Sequence, residues 1–271
     1  MNRDTPRLRH LLQRAPAVPA LSSKSDPEDP AVSYDWLLGM ARRTLDAPPA
    51  DADPHLTEQL SAQLADRPSR DEDLGQLHID TASCLRRAAL VRADGPVLAV
   101  GDDDGVTLAL RLLGQSAVVA ADLDERLLAF LGSRGVETHR ANFLEQAVPG
   151  VLRSRFASVV TDPFRDLDGG LGFLCFASAC VRDGGDLYWV DDPDWNPEHD
   201  AVRSAMAQLG WRVMRVHNNV HAYPLSPENF VPDALVEGLG LDAEWLDALI
   251  THTSAWSNLY QLQRTTPAAD R

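Results

Sequence analysis

From Pro96 onward, short apolar runs alternate with longer amphipathic ones, a pattern that predicts strands and helices joined as βαβ units around a parallel sheet. Val97-Leu98-Ala99-Val100 reads as a buried strand, and the helical spacing from Val106 to Leu113 as the helix after it. Ala117 to Ala121 is the second strand, ending on Asp122, and Glu125 to Leu131 is its helix. Val136 to Ala141 is a weaker third strand. Phe156 to Thr161 is a fourth, stopped at Asp162-Pro163 because proline cannot continue a ladder. Gly172 to Val181 reads as a buried helix, Asp186 to Val190 as a strand, 198–209 as an amphipathic helix and Trp211 to Val216 as a strand. A helical stretch from Leu241 to Thr251 leads to a last strand, Leu259 to Gln263.

The first 73 residues are different, being rich in Pro, Ala, Asp and Arg. Two helices are expected there: one begins at Tyr34, with Ser33 as cap, and ends before Pro48-Pro49; the other spans Leu56 to Leu64. The organisation predicted is a small helical N-terminal region, 1–73, and a Rossmann-like α/β domain, 74–271. The short helices would serve as a cap or as a dimerisation element.

Composition narrows the partners. With 271 residues, 44% of them hydrophobic, the chain can bury a substantial core. A net charge of −15 disfavours nucleic acid, whose phosphates need a positive surface, and favours a cationic small molecule. Cys84, Cys175 and Cys180 show no CxxC pairing, so neither a disulfide framework nor a zinc site is indicated. No apolar run approaches the roughly 18 residues of a membrane span, and a cytoplasmic protein is expected.

In open α/β sheets ligands bind beyond the carboxyl ends of the strands, so the acids are read by position. Asp102, Asp103 and Asp104 follow the first strand, Asp122 and Asp124 the second, Asp162 the fourth, and Asp191, Asp192 and Asp194 the fifth. The loop from Gly101 to Gly105 lacks the GxGxxG fingerprint, and three carboxylates would repel a pyrophosphate. A phosphate-free nucleoside fits better. Asp122, roughly 20 residues after the glycine turn, is placed to accept from ribose hydroxyls. A nucleoside sulfonium, S-adenosylmethionine or its decarboxylated form, satisfies both conditions.

Gly101-Asp102-Asp103-Asp104, Asp122-Leu123-Asp124-Glu125-Arg126-Leu127 and Thr161-Asp162-Pro163 together resemble the branched-chain polyamine synthases. Gln76, Thr81 and Arg86-Arg87 resemble the segment leading into that family's first strand, and the resemblance extends over residues 74–223. It implies a class I methyltransferase-like fold and transfer of aminopropyl groups from decarboxylated S-adenosylmethionine to a polyamine. It also implies that Asp103 accepts the amine proton, with Asp102 and Asp104 beside it and Asp162 in the same cleft. Gly101, Asp122, Gln76 and Asn142 would meet the donor, Asn142 standing where an acid commonly contacts adenine. Phe164-Arg165 departs from the family's usual proline and acid.

Arg165 bears on the donor, since a guanidinium can bind the carboxylate of intact S-adenosylmethionine in bidentate fashion. Transfer of a 3-amino-3-carboxypropyl group therefore stands beside aminopropyl transfer. Methyl transfer, cyclisation or elimination of the donor, and a non-catalytic nucleoside-binding module are the competing readings. Asp191, with Asp192, Tyr188, Trp189 and Trp195 nearby, and Tyr223, near His217 and His221, are further candidates for an amine acceptor's surroundings. Neither histidine has the helical spacing of a metal pair, and no metal is expected.

Overall fold

Every residue of β1 (Val97–Val100) is apolar and buried, so this strand takes the middle of a sheet covered on both faces. The structure, a computed structural model, describes residues 5–17, 30–47, 53–91, 94–145, 147–194, 196–226 and 233–264. β2 (Val118–Asp122) and β4 (Phe156–Thr161) flank β1 in parallel, with Ala99 opposite Ala120 on one side and Val160 on the other. β3 (Glu137–Arg140) pairs with β2, and β5 (Val181–Asp191) with β4, both in parallel. β7 (Ser254–Arg264) runs antiparallel to β5, and with β6 (Trp211–Pro224) it completes a seven-stranded sheet of order β3-β2-β1-β4-β5-β7-β6. Strand order reverses beside β1, and the site follows from that reversal: the loops after β1, β2 and β4 leave the sheet at one edge. The expected Rossmann-like, methyltransferase-type α/β fold is the one observed.

The chain divides into two compact units, 1–49 with 222–256, and 50–221 with 257–271. The boundary expected between residues 73 and 74 falls inside the second unit. The first unit holds α1 (Thr5–Gln13), α2 (Pro30–Asp46), α9 (Asp233–Leu239) and α10 (Ala243–Thr251) around Leu8, Leu37, Leu246 and Ile250. Two of its indole N–H groups are paired within it: Trp245 Nε1 donates to the Leu11 carbonyl at 3.1 Å and Trp256 Nε1 to Thr44 Oγ1 at 3.0 Å.

In the second unit α3 (Pro54–Leu64), capped by Asp53, packs against α4 (Thr81–Leu90) and α5 (Val106–Leu112). The sequence pattern misses α4, because its pair of arginines looks like a solvated face; Arg87 is in fact buried. α6 (Glu125–Ser133) opens on an Asp124 cap, α7 (Leu167–Cys180) on an Asp166 cap, and α8 (His199–Gln208) precedes β6. β5 starts five residues before the expected Asp186, since its register jumps between Phe156 and Ser158 of β4 and leaves Arg182 to Gly185 bulged.

Candidate active site

The loop between β1 and α5 sets the geometry. Gly101 and Gly105 both have φ of +73°, a conformation costly for any residue with a Cβ. A Cβ at Gly105 would also come within 2.7 Å of Leu64 on α3. The three aspartates between them separate by task.

Asp102 is fully buried and caps α5: its Oδ1 accepts the Val106 N–H at 2.6 Å, and its Oδ2 accepts the Thr107 N–H at 3.3 Å and the Thr107 hydroxyl. Asp104 is equally enclosed, with Oδ1 accepting the Ile79 N–H at 2.9 Å and Oδ2 paired with Arg87 at 3.0 Å. Only Asp103 keeps partial exposure, and its carboxylate accepts no hydrogen bond from the described residues. The expectations that Asp102 works as a base and that Asp104 faces an acceptor are therefore corrected, since helix capping and the Arg87 pair occupy those carboxylates.

Burial pushes Asp102 up to about 7, against the pull of Thr107 and Arg87. A carboxyl raised on folding binds more protons in the native state, so its contribution to stability is present below about pH 4 and lost as pH rises toward 7. Asp102→Asn, which keeps a capping oxygen, should flatten that dependence by about 2 kcal/mol between pH 5 and 7.5. Urea unfolding of wild type and variant at both pH values checks this; identical pH dependence would count against it.

Asp103 is pushed well above the usual carboxylate range by burial and by Asp104, Asp122 and Asp162 around it. Asp122, at the end of β2, accepts the N–H groups of Asp102 at 3.1 Å and Asp124 at 2.9 Å, and burial raises it too. The Ala141 N–H reaches the Asp122 carbonyl at 2.9 Å, which sets Asn142 next to the β2 end; Asn142 Oδ1 accepts the Leu144 N–H at 3.0 Å. Gln76 spans the Asp71 N–H and Asp124 Oδ2, at 2.8 and 3.2 Å. The predicted donor residues thus border one loop cluster.

Asp162 follows β4. Burial opposes its ionisation, but Arg165 and His221 outweigh burial and hold it well below the usual carboxylate range. Arg165 Nη2 lies 3.0 Å from Asp162 Oδ1, its Nη1 donates to the Val190 carbonyl at 3.1 Å, and Asp191 Oδ1 is 3.8 Å away. Asp191 is fully buried and engaged with Asn196, His199 and the Asp192 N–H, so it does not face an acceptor as expected. Tyr223 is buried and belongs to the other compact unit. Tyr188 and Trp189 are core residues, and Trp195 lies outside the described residues.

Sequence reasoning named Arg87 without giving it a partner and underrated His221. His221 is fully buried, with Nδ1 3.5 Å from Asp162 Oδ2. Among the described residues, Asp104, Asp162 and His221 bring ligand-type atoms within 4.8 Å of one another, a donor set that could hold a divalent cation. Arg87 and Arg165 already supply positive charge at those two carboxylates. No signal along the chain joins positions so far apart; only the sheet does.

Residues 55–186 match the family model of the branched-chain polyamine synthase A C-terminal domain. The C9 mutein of the Thermus thermophilus branched-chain polyamine synthase, solved with N4-aminopropylspermidine and 5'-methylthioadenosine, aligns with a TM-score of 0.68 at 20% identity, over 97% of this chain and 86% of that one. The unmutated T. thermophilus enzyme with the same ligands gives 0.65 at 20% identity, over 97% and 87%. A Pyrococcus horikoshii protein described as a candidate RNA methyltransferase gives 0.52 at 15% identity, over 78% and 100%. No curated protein matches the chain.

Proposed function

We propose that the chain, whose residues 55–186 match the model of the branched-chain polyamine synthase A C-terminal domain, transfers an aminopropyl group from a nucleoside sulfonium to an amine and releases methylthioadenosine. The observation that carries this is the division of the aspartate loop: two carboxylates are built into the fold, and the third, Asp103, is left open beside Asp162. A rim of that kind suits a cationic acceptor, and polyamines are the acceptors whose chemistry matches it. The T. thermophilus complexes with an aminopropylated spermidine and methylthioadenosine support spermidine as the acceptor class.

The acceptor nitrogen must be neutral to attack, yet a free alkylamine has a pKa of about 10. Asp103, raised by its neighbours, is more basic than an ordinary carboxylate and takes the amine proton, while Asp162 stays anionic and holds the chain of charge in place. The nitrogen lone pair then forms the new N–C bond at the propyl carbon. The C–S bond breaks, and its electron pair leaves the sulfur neutral as methylthioadenosine. Gly101, Asp122, Asn142 and Gln76 would orient the nucleoside so that nitrogen, carbon and sulfur are in line.

Arg165 favours the decarboxylated donor. Its guanidinium points to Asp162, the Val190 carbonyl and Asp191, which are internal acceptors, rather than toward a ligand carboxylate. The same reading places the protein in the cytoplasm, in keeping with its free thiols, as a monomer or a homodimer. Among the described residues no helix is long and apolar enough to cross a membrane.

The test is to incubate the chain with S-adenosylmethionine or its decarboxylated form, with and without spermidine, and to identify the nucleoside product by mass spectrometry. Methylthioadenosine, formed from the decarboxylated donor only when spermidine is present, is the expected outcome. S-adenosylhomocysteine would replace this reading with methyl transfer.

A further inference from the structure

His221 lies outside the segment that matches the family model, on β6, at the opposite end of the sheet order from β3. Just before it, Asn219 takes a left-handed φ of 53°, and beyond that turn the Val220 carbonyl meets Arg86 Nη2 at 3.4 Å while His221 reaches Asp162. A left-handed residue inside β6, followed two positions on by a fully buried imidazole, has a cost that ordinary packing does not require.

We propose that His221 is a positioning residue, holding Asp162 Oδ2 through Nδ1–H while Arg165 holds Oδ1, so that Asp162 presents a fixed carboxylate to the acceptor amine. This deepens the aminopropyl-transfer reading and rests on it. Two facts give the imidazole its role. His221 Nδ1 lies 3.5 Å from Asp162 Oδ2, the oxygen that Arg165 leaves to it. A neutral imidazole has one N–H, and the nitrogen that faces an ionised carboxylate must be the one that carries it. The charged groups around this contact are Arg87 on α4, Asp103 and Asp104 after β1, and Asp162 and Arg165 after β4. Two of them are cations and three are carboxylates, and Asp162 already has Arg165 as its charged partner, so the imidazole need not carry a charge of its own. Its contribution is direction: it fixes the second oxygen of a carboxylate whose first oxygen is already held.

The prediction separates direction from mere volume. Asn places its amide nitrogen where the Nδ1 of histidine stood; Gln places it nearer Nε2. In the full-length chain, His221→Leu should weaken spermidine binding and lower kcat/KM for spermidine by on the order of 10- to 100-fold. His221→Asn should retain most of the wild-type affinity and kcat/KM, and His221→Gln should not.

Spermidine affinity is read by calorimetry, transfer by methylthioadenosine release, and folding by thermal melting. Equal losses in folded His221→Asn and His221→Gln, or wild-type behaviour in folded His221→Leu, would overturn the proposal. If His221→Leu does not fold, the Asn and Gln variants alone decide it. Spermidine binding without methylthioadenosine formation by the wild type would sink the transfer reading, and the affinity series would still judge His221.

Discussion

Asp103→Asn should lower kcat/KM for the amine acceptor by about 10²- to 10⁴-fold, the usual contribution of a positioned proton acceptor, with donor affinity nearly unchanged. The substitution keeps the size and shape of the side chain and removes only its basicity. Asp103 makes no side-chain hydrogen bond within the described structure, so the fold loses little. Removing one of four crowded acids relieves the repulsion that raises it, and the variant should melt no lower than wild type. Because the amine must be deprotonated by some other route, the deficit should shrink at high pH, where solvent does the task. Methylthioadenosine release across pH, with donor binding by calorimetry, measures all of this. Wild-type turnover in the variant would remove Asp103 from the mechanism. A parallel loss of donor binding would move it to the donor side of the loop.

The strand and helix pattern from Pro96 to Gln263 is legible in the chain because burial on both faces writes itself as continuous apolar runs, as in Val97–Val100 and Phe156–Thr161. The clustering of acids at one rim is legible too, since every parallel strand delivers its carboxyl end to the same edge. What each acid does there is not. Asp102, Asp103 and Asp104 are identical in sequence terms, and their roles differ only because Asp102 starts α5, Asp104 meets Arg87 from α4, and Asp103 meets neither. Likewise Asp191 sits at the carboxyl end of β5, yet Arg165 from the loop after β4 and His199 from α8 turn it inward. Periodicity reports which face of an element is buried; it does not report which partner arrives from another element. The same limit explains the N-terminal third. α2 and α3 are legible as helices and α1 is not, and nothing local says that α1 and α2 group with residues 222–256 while α3 packs against α5.

Arg87→Met should destabilise the protein by about 3–5 kcal/mol, the cost of stranding a charge inside a fold. Arg87 is 1% exposed, and its guanidinium meets Asp104, whose side chain is 2% exposed, at 3.0 Å. Methionine replaces the volume but not the charge. Asp104 would then face Asp103 and Asp162 with the Ile79 N–H and the uncharged His221 as its company, none of which supplies a compensating cation. Urea unfolding of the full-length chain reads the loss, and a change below about 1 kcal/mol would show that the pair is not what holds the loop. The double variant Arg87→Met with Asp104→Leu removes both charges, so it should lose less than the sum of the single losses, which marks the coupling as direct. Asp103 should respond as well. Arg87 is the cation that lowers it, and without that cation its carboxyl would be driven further up, toward the protonated state that cannot accept from an amine. A folded Arg87→Met population should therefore show its acid limb of turnover displaced to higher pH, tying the stability of the loop to the basicity of its one open aspartate.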